Sequence, residues 1–163
     1  MNSREALKSG INGGHKIVEG YLADLTDADL LVRPLPKCNH IAWQLGHLIY
    51  AEHFMVDAVR PGSMPALPEG FKQKHSNETA ESDNPRDFLT KAEYLKLLNE
   101  QRAGTLALLD KLSDEELSQE APKPLQSFLK RVGDVFSMQS THPVMHAGQW
   151  AIIRRKLGKP PLF

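Results

Sequence analysis

The sequence predicts an all-α fold: a four-helix bundle with a long crossover loop between the second and third long helices. Three observations carry this expectation. Four long stretches space their apolar residues three, four and seven apart, the period of one helix face. No stretch sustains the strict alternation of a half-buried strand next to hairpin turn chemistry. Residues 61–85 are polar and hold Pro61, Pro65, Pro68 and Pro85, so they read as a connection rather than a fifth helix. Stacking four amphipathic helices is the economical way to bury such faces.

In the first stretch Leu7, Ile11, Val18, Tyr21, Leu22 and Leu25 form the apolar face, with Asn2 or Ser3 as cap. Gly10, Gly13, Gly14 and Gly20 weaken it, each by roughly 1 kcal/mol against Ala. Close approach of another helix at these glycines would offset that loss. Thr26 and Asp29 resemble a capping box for a short turn that Pro34 and Pro36 end. The second stretch starts after Asn39, its expected cap, and carries Ile41, Leu45, Leu48, Ala51 and Met55 in one stripe. Pro61 and Gly62 stop it.

The third stretch opens on Thr90 with Glu93, a capping box, and shows Tyr94, Leu97, Leu98, Leu106, Leu109 and Leu112. Ser113 and Glu116 form a further box before "APKPL". The fourth stretch begins near Ser127 or Gly133 and runs to Leu157. Gly158 suits its C-terminal stop, Pro160 and Pro161 follow, and Arg154, Arg155 and Lys156 suit the negative end of the helix dipole.

Residues 1–163 make one domain of ordinary globular composition, with 40% hydrophobic and 25% charged residues. Lys+Arg and Asp+Glu are both 20, so the formal net charge is zero. That balance argues against a nucleic-acid or anionic-membrane partner and does little to hold copies apart. Cys38 is the single cysteine, which rules out an internal disulfide and fits a reducing, cytoplasmic setting. The opening "MNSREALKSG" has no signal-peptide core, and no run approaches the roughly 18 apolar residues that span a bilayer.

The chemistry lies with the histidines. His142 and His146 are four apart, so on a helix they share a face with a rise of about 6 Å. Two imidazoles so placed can grip one ion, although an isolated H-x-x-x-H is a weak signal. Pro143 between them allows two readings. A new helix starts there with Pro143 in its first turn, or one helix continues with a kink around Gln139–Pro143. The kink is favoured, because Val132, Val135, Phe136 and Met138 carry the apolar period up to it. His47, in the middle of the second stretch beside Gly46, is the best third ligand; the plainer reading is a core histidine with a hydrogen-bond partner. His15, His40, His53 and His75 read as solvated or incidental.

Other sites find little support. There is no HExxH and no Glu-x-x-His, so neither a zincin nor a di-iron carboxylate pattern is present. Cys38 with His40 could pair a nucleophile and a base, but no third group is identifiable. No general acid or base stands out: Glu52 and His53 lie on other faces than His47, and Tyr50 is a weak candidate. The length of the 61–85 connection suggests a cover over the site mouth, with Phe71 or Met64 reaching in.

"NHIAWQLGHLIYAEHF", with W-x-x-x-H, and "THPVMHAGQWAIIRRKLGKPPLF", with H-x-x-x-H-x-G-Q, together resemble the DinB-like superfamily of metalloenzymes. The layout agrees over most of the chain, while the specific motifs are confined to those two segments. Pro143 inside the motif departs from the usual pattern. The resemblance implies a four-helix bundle, often a homodimer, with a divalent metal held by three histidines. His47, His142 and His146 match those ligands, and Gln149, one turn beyond His146, matches a glutamine that supports them. Three imidazoles leave an open fourth position, and their neutrality favours an anionic ligand such as hydroxide or thiolate there. Zinc or nickel is the first expectation for the ion, with iron, cobalt or copper as alternatives. Relatives in the family include transferases and isomerases that use low-molecular-weight thiols such as bacillithiol or mycothiol. The resemblance therefore implies a thiol-dependent S-transferase acting on a small molecule. A metal-dependent hydrolase, or a non-catalytic metal-binding, stress-associated bundle, is the alternative.

Overall fold

A computed structural model describes residues 1–160 and 162. Its long helices are α1 (Ser3–Leu22), α2 (Ile41–Val59), α4 (Lys91–Leu109) and α6 (Val132–Lys156); α3 (Phe71–Lys74) and α5 (Asp114–Ser118) are short. Among the described residues there is no strand, only an isolated bridge between Glu120 and Arg131. The four-helix bundle and its long crossover from α2 to α4 are as the apolar periods predict. None of the described helices is long and apolar enough to cross a membrane.

The helix starts follow local chemistry. Asn2 with Glu5, Thr90 with Glu93 and Ser113 with Glu116 are reciprocal capping boxes. Asp29 and Thr26 exchange the same pair of bonds at a three-residue 3₁₀ turn. The cap of α2 differs from expectation. His40, not Asn39, occupies it, and its Nδ1 accepts the Trp43 amide at 3.1 Å. The Asn39 carbonyl is taken instead by the Gln44 side chain, at 2.6 Å. α6 ends in a Schellman motif: Gly158 sits at φ +70°, its N–H reaches the Arg155 carbonyl, and Lys159 N–H reaches that of Arg154. Pro161, the second predicted breaker, lies outside the described residues.

α1 lies along α6, and α2 packs on both α4 and α6. The glycines of α1 explain that closeness. A Cβ at Gly10 would stand 3.3 Å from the Cβ of Ser140, and one at Gly14 only 2.6 Å from the Ser140 carbonyl oxygen. Gly13, by contrast, faces open space. Arg154 does more than suit a dipole. It is buried, pairs with Asp24 and donates to the Tyr21 carbonyl at 3.2 Å, which ties the end of α6 to the end of α1.

The core has two apolar halves. One gathers Val18, Leu45, Ile49, Tyr94 and Trp150; the other Ile11, Val56, Leu109, Val135 and Phe136. Along α2, α4 and α6, the residues between these halves are polar and buried: Glu52, Gln101, Arg102, Thr105 and Gln139. Glu52 pairs with Arg102 at 3.1 Å and accepts from Thr105 Oγ1 at 2.6 Å. Burial pushes the Glu52 carboxyl up, and the Arg102 guanidinium beside it pulls the other way.

Candidate metal centre

His47 stands at the middle of α2, and His142 and His146 occupy one face of α6. The fold brings their ring tips together. Nε2 of His142 is 3.3 Å from Nε2 of His47 and 3.2 Å from Nε2 of His146. All three ligand atoms lie within 4.8 Å of one another. Two imidazole nitrogens bonded to one tetrahedral ion, each at about 2.0–2.1 Å, would be about 3.3 Å apart. Two of the three separations match that value and the third lies within 4.8 Å, so the residues fit a divalent ion.

Two of the rings are held from outside the cluster. Trp43, one turn before His47, stacks on it with centroids 5.4 Å apart and planes 5° from parallel. Trp43 is itself anchored, its indole N–H donating to the Ser76 carbonyl at 2.9 Å. His146 is fixed by Gln44. The side-chain oxygen of Gln44 accepts from Trp150 Nε1 at 2.8 Å and faces His146 Nδ1 at 2.9 Å. An indole nitrogen only donates, so the Gln44 atom between them is the oxygen. His146 Nδ1 must then carry a proton, which leaves the Nε2 lone pair turned to the cluster. Burial, with repulsion from the neighbouring imidazoles, lowers His142 and His146 to about 4. Burial also lowers His47. At neutral pH these rings are therefore uncharged, the state a metal requires.

Gln149 stands one bond further out. Its Oε1 accepts from Gln44 Nε2 at 3.2 Å, so it reaches His146 only through Gln44. Sequence reasoning passed over Gln44, although it lies three residues before His47 and so near the same helix face.

α6 passes through Pro143 as a single helix, so no new helix starts there. Proline has no N–H to offer the Gln139 carbonyl. Arg102 of α4 supplies the missing donor, with Nη1 3.1 Å from that oxygen. Pro143 thus connects α6 to the buried Glu52–Arg102 pair.

The remaining histidines have structural partners. His75 is not solvated but buried, only 5% exposed. Its Nδ1 donates to the Phe71 carbonyl at 2.8 Å, and its Nε2 accepts from the Tyr94 hydroxyl at 2.7 Å. Burial lowers it to about 4. The ring rests on Gly46, where a Cβ would fall 1.9 Å from His75 Cδ2. That is why a glycine precedes His47. His40 is also buried, and both its nitrogens are used, by Trp43 N–H and by the Ser82 carbonyl at 3.1 Å. It has no nitrogen left to serve Cys38 as a base. His53 faces Gln101 Oε1 at 3.1 Å, and His15 faces Asn99 Oδ1 at 2.8 Å.

A cleft of about 640 Å³ opens beside His47 and His142. Trp43, Tyr50, Phe54, Met55, Met138 and Met145 give it apolar walls. The α2–α4 crossover does contribute, through Lys72, His75, Ser76 and Asn77. Phe71 and Met64, the residues expected to reach in, are instead buried in the two core halves. Glu52 is committed to Arg102 and Thr105 and does not line the cleft, whereas Tyr50 does.

Comparison with known proteins bears on the same features. A family model described as the DinB superfamily matches residues 14–150. A conserved protein from Enterococcus faecalis superposes with a TM-score of 0.71 at 18% identity, over 98% of this chain and 99% of that one. YfiT from Bacillus subtilis superposes with a TM-score of 0.67 at 13% identity, over 96% of this chain and 89% of its own. YfiT is described as a probable metal-dependent hydrolase with an unusual four-helix bundle topology. No curated protein sequence gives a significant match.

Proposed function

We propose, on the premise that this chain belongs to the DinB superfamily, that it is a divalent-metal-dependent enzyme acting on a small molecule in the cleft beside His47 and His142. One observation carries the reading. His142 Nε2 lies 3.3 Å from His47 Nε2 and 3.2 Å from His146 Nε2, all three ligand atoms fall within 4.8 Å of one another, and Gln44 fixes the tautomer of His146 so that a lone pair faces the others. His47, His142 and His146 would hold the ion; zinc or nickel is the first expectation, then iron, cobalt or copper. When bound at an open three-histidine site, such an ion would polarise a substrate and acidify water or a thiol.

The chain's own residues do the rest. Trp43 and Gln44 hold two of the donors in place. The apolar walls keep bulk water from a bound substrate, which strengthens every charge interaction inside. Hydrolysis is the first reading, supported by the likeness to YfiT and its described metal dependence. Thiol-dependent S-transfer is the second. It is favoured by a neutral donor set that leaves the charge of the ion free to hold an anionic thiolate.

Metal analysis of the purified chain tests the premise. Wild type should carry close to one ion per chain, and His47→Ala, His142→Ala and His146→Ala should each lose it. Metal content unchanged in all three variants would end this reading. Turnover of ester and amide panels against thiol-plus-electrophile panels then separates the two reactions. A homodimer belongs to the same proposal and is checked by light scattering after size-exclusion chromatography.

A further inference from the structure

We propose that the cleft takes an apolar substrate carrying a single carboxylate, and that Lys72 receives that carboxylate. The inference rests on the reading of the cleft as the substrate site and adds the chemical class of its occupant. Three observations converge on it.

The first is the character of the walls. Trp43, Tyr50, Phe54, Met55, Met138 and Met145 offer ring faces and thioethers, which suit a hydrocarbon chain or ring rather than a polyhydroxylated one. The second is the rim. Phe54, Phe128 and Met145 are 42%, 57% and 60% exposed, and all three border the same opening. Large apolar side chains gathered at one mouth mark a binding site more often than chance scatter does. A volume of about 640 Å³ is that of a cleft for a compact organic molecule.

The third is charge. Among the described residues the lining includes no Asp or Glu, and its one Lys or Arg is Lys72 of α3. Lys72 is exposed at the edge of the cleft, its ammonium 5.5 Å from the centre of the Tyr50 ring, and it forms no ion pair with a described residue. A cation over an aromatic face at the edge of apolar walls is positioned to meet an anion whose apolar part enters the cleft. An apolar monocarboxylate satisfies both the walls and the lysine. A neutral apolar molecule leaves Lys72 unused, and a cationic one is repelled.

The probe is 4-phenylbutyrate, compared with the neutral 4-phenylbutan-1-ol. Binding is measured by calorimetry on the full chain, both as purified and after chelator treatment. Wild type should bind the carboxylate about fivefold more tightly than the alcohol, the scale of a partly exposed ion pair. Lys72→Gln should erase that preference and Lys72→Arg should keep it. Phe128→Ser should weaken both probes alike. In the chelator-treated arm, where no ion competes for the carboxylate, equal affinity for the two probes in wild type, or a preference that survives Lys72→Gln, overturns the proposal. So does the absence of binding by either probe, and so does a Phe128→Ser variant that turns a dimer into a monomer with probe binding unchanged. The chelator-treated arm depends on no ion. A failure of the metal reading, seen as absent metal, is therefore distinct from a failure at Lys72.

Discussion

At Gln44 one amide oxygen meets two nitrogens, and their chemistry differs: Trp150 can only donate, so His146 must donate as well. Replacing Gln44 by Ala frees the His146 ring to rotate and change tautomer. Zinc affinity should fall by about 10–100-fold with the helical content intact, while Gln44→Glu, which keeps an acceptor, should retain most of it. Competition with a chromophoric chelator measures both. The three clustered histidines were legible in the sequence because helix periodicity puts His142 and His146 on one face, and His47 stood out by its place in the middle of the second helix before the family motif matched it. The support behind them was not. Gln149 follows the pair in the motif, yet the bond to His146 comes from another helix, and only packing reveals that. His75 was misread for a related reason: a polar stretch of sequence gives no sign of a ring seated on a distant glycine. Gly46→Ala should cost on the order of 3 kcal/mol through overpacking, because its Cβ would fall 1.9 Å from a ring pinned at both nitrogens. The double variant Gly46→Ala/His75→Ala should recover part of that loss, read from urea midpoints.

Among the elements, α6 shows how a proline can be accommodated inside a helix. The sequence showed that Pro143 would deprive Gln139 of a partner, but could not show that Arg102 would arrive from α4 to replace it. Arg102→Met should destabilise by about 3–5 kcal/mol, since it leaves Glu52 buried without its counter-charge as well as orphaning the carbonyl. In Pro143→Ala the new N–H can take the Gln139 oxygen itself. Arg102→Met should therefore cost less in the Pro143→Ala background than in wild type. A double-mutant cycle from denaturant melts checks the coupling, and simple additivity would disprove it. The glycines of α1 were more transparent. Gly10 and Gly14 read as a helix weakened for the sake of close packing, and Ser140 of α6 lies against both.

For the molecule as a whole, the bundle stores several uncharged imidazoles. His75, His142 and His146 are each lowered to about 4, chiefly by burial, against 6.5 for an unhindered histidine. Between pH 6.5 and about 4 the unfolded chain therefore binds more protons at these sites than the folded one. Stability of the metal-free protein should be fully present above that window and fall as pH drops through it. Glu52, with its carboxyl pushed up, acts in the opposite sense and blunts the fall. Thermal melts of chelator-treated protein across this range should show the decline, and His75→Phe should make it shallower. A profile that is flat in wild type and in His75→Phe alike would mean that the imidazoles take up protons in the fold as readily as in the unfolded chain. The placement of the donors also orders events in time. His47 and His142 are 95 residues apart along the chain, yet their nitrogens are 3.3 Å apart. While the chain is being synthesised, nothing before α6 can assemble the trio, and a half-folded chain offers at most the pair on α6 itself. Capture of the proposed ion would thus be a late event that follows the docking of α6 on α2, and a chain that held it would, by that fact, have passed a test of its own folding.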